Sequence, residues 1–144
     1  MSLETWKHQY LHLSVEQTKP GEAVAHSLKK WKGLRSANLE AHGMVKTVDG
    51  DIEERSGRQR ELCISASSCS LCHHFYNDHS CKACPLALSR DGTSCVEATS
   101  DESESPWDAW DKGKNNPEPM IAALKKAKKW EKAQTQSPLK PTQD

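Results

Sequence analysis

The chain has 144 residues, and its 20 Lys and Arg balance its 20 Asp and Glu, so the net charge at pH 7 is zero. Proteins that coat nucleic acid without sequence preference are strongly basic, and this balance disfavours that class. Leu, Val, Ile and Phe together make up only 21 of the 144 residues, below the roughly 20% at which a chain struggles to bury a core. We therefore expect a small fold that needs an additional staple.

The N-terminal segment, residues 1–17, has no apolar run of the kind found in signal peptides, and no stretch of the chain approaches the length of a membrane span. We therefore expect a soluble, cytoplasmic protein that does not associate with membranes. Within this segment Leu11, Leu13 and Val15 alternate as in a β-strand. The segment as a whole is amphipathic, and its conformation is left open.

A helix is predicted to follow Lys19, with Pro20 in its first turn, where the missing amide proton has no helical partner in any case. The apolar residues Val24, Leu28 and Trp31 recur at helical spacing, and the helix should end at Gly33. Three lysines lie beside or opposite this apolar stripe and are candidate partner-binding residues: Lys29, Lys30 and Lys32.

A second short helix and a hairpin are predicted next. Ser36 can cap a helix that Gly43 terminates in the left-handed conformation. Asp49 and Gly50 form a preferred two-residue hairpin turn within residues 45–53. A charged loop then leads to a short strand over residues 61–64.

Two Cys-x-x-Cys pairs are the strongest chemical signal in the chain: Cys69 with Cys72, and Cys81 with Cys84. Each pair turns two sulfur atoms toward one point, and two pairs supply the four soft ligands of a tetrahedral Zn²⁺. In a reducing cytosol cysteines favour metal binding over disulfides. Structural zinc contributes folding free energy on the order of 10 kcal/mol, so we expect its removal to unfold the middle of the chain.

Other residues compete for the same role. Cys95 is a substitute ligand for one of the four thiols, and an iron–sulfur cluster is the alternative cofactor, although the spacing differs from that of bacterial ferredoxins. Cys63 has no partner at this spacing and is predicted to be a small buried residue on the strand. Three histidines are weaker alternatives, because four thiolates already fill a tetrahedron: His73, His74 and His79.

The C-terminal part separates its charges. Residues 97–111 carry six acidic residues and no basic residue, whereas residues 112–132 carry seven lysines. The two regions can fold against each other or present two faces to partners. Pro106, Trp107 and Trp110 predict a short helical turn that pins this strip to the body.

The final helix is predicted to follow Asn115, Asn116 and Pro117. Its apolar stripe contains Met120, Ala123, Leu124, Ala127 and Trp130. Trp130 and Trp31 could stack on bases, but their place on apolar stripes favours the core. Five lysines form the predicted solvent side of this helix: Lys125, Lys126, Lys128, Lys129 and Lys132. The first four of them are candidate partner-binding residues.

The order of these motifs resembles a group of small cysteine-rich proteins of tailed bacteriophages and prophages. The resemblance covers roughly residues 20–133 and comprises a Lys-x-Trp helix (residues 25–34), the double Cys-x-x-Cys motif followed by Pro85 and Leu86, Cys95, and the Ser-Pro-Trp strip at residues 105–107. It implies a zinc-held phage protein that acts in the bacterial cytoplasm, and it carries no known activity.

These observations predict an α+β fold: a small zinc-stapled domain with a knuckle or ribbon-like core, an N-terminal helix pair and a C-terminal amphipathic helix. The predicted segments are an N-terminal segment, a helical region with a hairpin, a zinc module, a basic helix and a disordered tail: 1–17, 18–60, 61–111, 112–133 and 134–144.

The sequence shows no phosphate-binding loop, catalytic triad or His-Glu-x-x-His motif. We therefore expect a binding protein that engages a host or phage protein, with host defence or transcription as candidate targets, and not an enzyme. A nucleic-acid-binding zinc protein that uses the lysine-rich helices is the alternative, and a metalloenzyme with a histidine on an open zinc is a further one.

Overall fold

The chain combines helices with a small antiparallel sheet in a computed structural model that describes residues 2–56, 61–77, 80–111 and 115–136. This content agrees with the predicted α+β class. Among the described residues the helices are α1 (Leu3–Tyr10), α2 (Ala23–Gly33), α3 (Ser36–Ala41), α4 (Ser70–Phe75), α5 (Pro85–Leu88), α6 (Pro106–Trp110) and α7 (Glu118–Gln136). The strands are β1 (Met44–Lys46), β2 (Ile52–Glu54) and β3 (Glu61–Leu62), in the order β1-β2-β3.

The N-terminal segment is helical, and its strand-like alternation does not form a strand. Ser2 and Thr5 cap α1 reciprocally: the Ser2 hydroxyl accepts from the Thr5 amide at 3.2 Å, and the Thr5 hydroxyl accepts from the Ser2 amide at 3.0 Å. Trp6 is fully buried, and its indole N–H donates to the Gly33 carbonyl at 2.8 Å. Local capping and one buried tryptophan therefore fix the helix, and Val15 instead starts a short 3-10 turn.

Helix α2 forms as predicted. Pro20 opens a 3-10 turn that continues into the helix, which ends at Gly33. Val24, Leu28 and Trp31 are all buried. The helix packs against α1, α4 and α7, so it runs through the centre of the fold.

The turns around α3 and the hairpin follow the sequence in part. Gly43 has φ of 69° and ends α3 as expected, but Arg35 and not Ser36 is the N-cap residue. The hairpin of β1 and β2 is confirmed, with Lys46 paired to Ile52, so its loop has five residues and not two. The Thr47 hydroxyl accepts from the amides of Asp49 and Asp51, both at 3.2 Å, which stabilises the longer loop.

The last two helices pack against each other, and α7 also packs against α2 and α5. The Ser105 hydroxyl caps α6 by accepting from the Asp108 amide at 3.0 Å. In α7 the predicted apolar residues are buried except Trp130, which is half-buried, while Ile121 is an additional buried residue. The helix continues to Gln136, so the predicted tail is wrong for residues 134–136, and residues 137–144 lie outside the described part of the chain. None of the described helices has the length and apolar character needed to cross a membrane.

We expect Gly33→Ala to destabilise the fold, although alanine favours helices by about 1 kcal/mol over glycine. A Cβ at this position would lie 2.7 Å from the Cβ of Tyr10, which cannot move away as the tip of a side chain could. Such overpacking costs about 1–3 kcal/mol. Chemical denaturation measures the effect, with Gly21→Ala as control because nothing lies within 4 Å of its added Cβ. Equal stability of the two variants would contradict the expectation.

Candidate metal centre

Five cysteines line one cavity of about 190 Å³. Cys69 and Cys84 are the N-cap residues of α4 and α5, Cys72 lies within α4, Cys81 precedes α5 by one turn, and Cys95 lies in the loop before α6. All five are free thiols. The structure thus brings together the four predicted ligands and the predicted substitute.

The walls of this cavity are mostly apolar. Met120 and Leu124 of α7 and Trp31 of α2 contribute to it, and Trp107 of α6 closes another side. The Trp107 amide donates to the Cys95 carbonyl at 3.0 Å, which ties the loop carrying Cys95 to α6. Among the described lining residues there is no histidine or carboxylate, so the available donors are thiols.

The thiols influence one another's protonation. The Cys72 thiol donates to the Cys69 sulfur, which lowers the pKa of Cys69 and raises that of Cys72. Burial raises the pKa of Cys81 and Cys84, and raises the pKa of Cys95 to about 12. Most of these groups are therefore thiols at neutral pH, and a metal ion has to displace their protons to bind.

The donor set suits a soft metal, but the thiols do not yet converge on one point. Within the residues that the structure describes, no three His, Cys, Asp or Glu side chains form a group that could hold a metal ion as they stand. Zinc lies about 2.3 Å from each sulfur, which places the sulfurs of a tetrahedron about 3.8 Å apart. Binding of a single zinc ion therefore requires the sulfur atoms to move closer to one another. An iron–sulfur cluster is larger than one ion and needs a wider space between the sulfur atoms than zinc does.

Two of the three histidine alternatives, His73 and His74, lie in the described part of the chain. His73 and His74 are on α4 but are absent from the described lining of the cavity, and His79 lies outside the described residues. His74 instead has its Nε2 atom 2.9 Å from the Thr18 hydroxyl. These two histidines therefore do not line the cavity that the five cysteines share.

Lys30 is the residue of this site that the sequence pattern misplaced. The sequence places it beside or opposite the apolar stripe of α2 as a partner-binding candidate, yet it is only 1% exposed and lines the cavity with the cysteines. Its ammonium group donates to the Ser68 carbonyl at 2.9 Å and to the Ser68 hydroxyl at 3.3 Å. Burial lowers the pKa of Lys30, and negative charge on Cys69 or Cys72 acts in the opposite direction.

A serine and a histidine meet beside the centre. The Ser70 hydroxyl is 2.9 Å from Nδ1 of His26, whose Nε2 atom lies 2.7 Å from the Leu13 carbonyl oxygen. Ser70 also lies 2.8 Å from the Thr18 hydroxyl and is fully buried. A substrate cannot reach a hydroxyl in this position, so the contacts serve to hold α4 against α2.

Cys63 is not part of the centre, and its predicted burial is wrong. It follows β3 directly and is exposed, with its sulfur 3.8 Å from an Asp51 carboxylate oxygen. That carboxylate raises the pKa of the Cys63 thiol. Its neighbours Leu62 and Ile64 both face the core, so Cys63 points to the opposite, exposed side of the extended chain.

The loop at residues 91–104, here called the acidic loop, folds around one arginine. Arg90 is 4% exposed and donates to the carbonyl oxygens of Thr93, Ser94 and Glu97. It also forms a salt bridge with Glu102. Four acceptors on one buried guanidinium fix the conformation of this loop beside α5.

The acidic loop also meets the basic helix. Asp101, Glu102 and Lys126 line a shared cleft of about 600 Å³, so the two charged regions lie side by side. The predicted lysines of α7 are all exposed: Lys125, Lys126, Lys128 and Lys129. On α2, Lys29 is exposed and Lys32 is half-exposed, which leaves Lys30 as the candidate that cannot reach a partner.

Comparison of the chain with protein-family models, with curated proteins and with solved structures finds no match.

Proposed function

We propose that this chain is a metal-stapled binding protein without catalytic activity, which engages a protein of a bacterial host and modulates it. The observation that carries the proposal is the convergence of five thiols, from three separate segments, on one apolar cavity. A core this poor in large aliphatic residues gains stability from such a staple. The resemblance to phage proteins supplies the host context, with defence or transcription proteins as the candidate partners.

Four thiolates would hold the metal: Cys69, Cys72, Cys81 and Cys84, with Cys95 able to replace one of them. Bound zinc would supply structural cross-linking between α4, α5 and the loops beside them. An iron–sulfur cluster is the alternative cofactor, because four thiolates hold a cluster as well. Metal analysis and the visible absorption of the anaerobically purified protein distinguish the two.

The basic face of α7, formed by its exposed lysines, is the surface we propose for the partner. Lys125 and Lys129 are one turn apart and point away from the buried residues Leu124 and Ala127. Charged groups on an interface contribute mainly to association rate and specificity. An acidic patch on the host protein is the complementary partner.

We expect Lys125→Glu/Lys129→Glu to abolish capture of the host protein from a nuclease-treated bacterial lysate. The matched control is Lys7→Glu/Lys19→Glu, which changes the net charge equally but lies outside α7. Affinity purification followed by mass spectrometry measures the captured protein. Loss of capture in both variants, or in neither, would contradict the assignment of this surface.

The nucleic-acid alternative uses the same exposed lysines and makes a different prediction. Phosphate contacts release counterions, so binding of DNA or RNA should weaken steeply as salt increases. A titration of wild-type protein with single-stranded and duplex nucleic acid at several salt concentrations tests this. Tight binding that falls with salt would favour the nucleic-acid protein over the protein-binding one.

A further inference from the structure

We propose that Lys30 is the built-in countercharge of the cysteine centre. Its buried ammonium group offsets the negative charge that four thiolates leave on a bound metal, and it selects an all-thiolate centre over a mixed thiolate and imidazole one. This inference rests on the proposed function, because it assigns a positioning residue and a ligand charge to the same site.

Lys30 is a buried cation with no described anionic side chain paired to it. Lys30 is 1% exposed, and among the described residues it forms no salt bridge with a carboxylate. Within the described part of the chain, its ammonium group donates only to the neutral carbonyl and hydroxyl of Ser68. A buried charge is costly unless an opposite charge lies close to it, so a negative partner is expected nearby.

In the described lining of the cavity, the cysteine thiols are the groups that can supply the negative charge opposite Lys30. The Lys30 ammonium group donates to Ser68, the residue directly before Cys69, and therefore lies beside the first Cys-x-x-Cys pair. Lys30 and these thiols line the same apolar cavity, whose described lining contains no carboxylate. The negative charge that Lys30 needs is therefore the charge of the thiolates.

The net charge of the metal centre depends on how many of its ligands are thiolates. Zn²⁺ with four thiolates carries a net charge of about −2, and so does a cubane [4Fe–4S]²⁺ cluster held by four thiolates. Replacing one thiolate by a neutral imidazole reduces this charge to about −1. A fixed positive charge at the wall stabilises the all-thiolate centre more, because the attraction grows with the charge of the centre.

Contacts of Ser68 and Ser27 hold the Lys30 ammonium group beside the cysteines. Ser68 immediately precedes Cys69, and its hydroxyl accepts from the Ser65 amide at 3.3 Å. Ser27, one helical turn before Lys30, has its hydroxyl 3.9 Å from the Cys69 sulfur. One face of α2 is thereby aligned with the first Cys-x-x-Cys pair.

The test is a double-mutant cycle on metal affinity, read by competition with a chromophoric chelator. Lys30→Met should lower zinc affinity by about 10–100-fold, as changes next to metal ligands do. In a Cys72→His/Cys95→Ser background no spare thiol replaces the lost thiolate, so the centre carries half the charge, and the same substitution should cost about half as much on a logarithmic scale. Lys29→Met, an exposed neighbour on α2, is the matched control and should leave affinity unchanged.

The outcomes separate the two proposals. An unchanged affinity of Lys30→Met, or an equal loss in both backgrounds, shows that Lys30 acts by packing or by bonding Ser68, and overturns the inference while the metal centre stands. Wild-type protein that binds neither zinc nor iron overturns the proposed function itself. Should Lys30→Met fail to fold, Lys30→Arg and Lys30→Gln decide: a smaller loss for arginine supports the countercharge, and equal losses overturn it.

Discussion

Removal of the bound metal is expected to unfold residues 61–111 and to weaken the packing of α2 and α7. Structural zinc contributes on the order of 10 kcal/mol, and whole domains of this size are stable by about 5–15 kcal/mol. A metal held by the cysteines of α4 and α5 would join these two helices, which pack against α2 and α7 respectively, so its loss would remove support from the middle of the fold. Circular dichroism after chelation measures the loss of helix.

Cysteine variants sharpen this result. Cys84→Ser/Cys95→Ser removes a predicted ligand together with its substitute and should reproduce the effect of chelation, whereas Cys63→Ser changes an exposed thiol outside the cavity and should have no effect. The fluorescence of Trp31 and Trp107, which line the cavity, should change on metal loading. A protein that keeps its circular dichroism and fluorescence after complete metal removal would contradict a structural centre.

The convergence of the cysteines could be predicted from the sequence, but the identity of their cationic neighbour could not. Spacing alone turns the two thiols of a Cys-x-x-Cys pair toward one point. Lys30, in contrast, follows Lys29 in a run that a polar and apolar pattern assigns to solvent. Its acceptor, Ser68, lies 38 residues away, and a local pattern contains no information on such a contact.

The fold shows the same limit at its N-terminus. Leu3, Trp6 and Tyr10 recur at helical spacing, and this signal was available in the sequence beside the misleading alternation at Leu11 and Leu13. What the sequence could not supply was the hydrogen bond from Trp6 to Gly33, which anchors α1 on α2. Helix α2 and the hairpin were predictable because proline, glycine and apolar spacing act locally there.

Trp110→Ala is expected to destabilise the fold by about 3–5 kcal/mol, the usual cost of truncating a buried aromatic residue. Trp110 is 1% exposed, and its indole N–H donates to the Gly50 carbonyl at 2.7 Å. Its ring meets the Trp31 ring edge to face, with centroids 5.5 Å apart, and the Lys46 ammonium group lies 4.7 Å from its ring centre. One side chain thus joins the hairpin, α2 and α6.

Two further variants separate the contributions of Trp110. Trp110→Phe keeps most of the apolar contact and leaves the Gly50 carbonyl without its donor, which should cost about 1–3 kcal/mol. Trp130→Ala, at a half-buried position of α7, should cost less than Trp110→Ala. Urea denaturation of the metal-loaded proteins measures all three, and a larger loss for Trp130→Ala would contradict the central position of Trp110.

Trp110→Ala should also affect the cysteine centre, because α6 connects Trp110 to the cavity wall. Trp107, three residues before Trp110, donates its amide to the Cys95 carbonyl and forms part of the cavity wall. Because folding and metal binding share free energy, Trp110→Ala should also lower zinc affinity, although its side chain is absent from the described lining of the cavity. Zinc affinity equal to that of the wild type would show that the centre folds independently of the hairpin and α6.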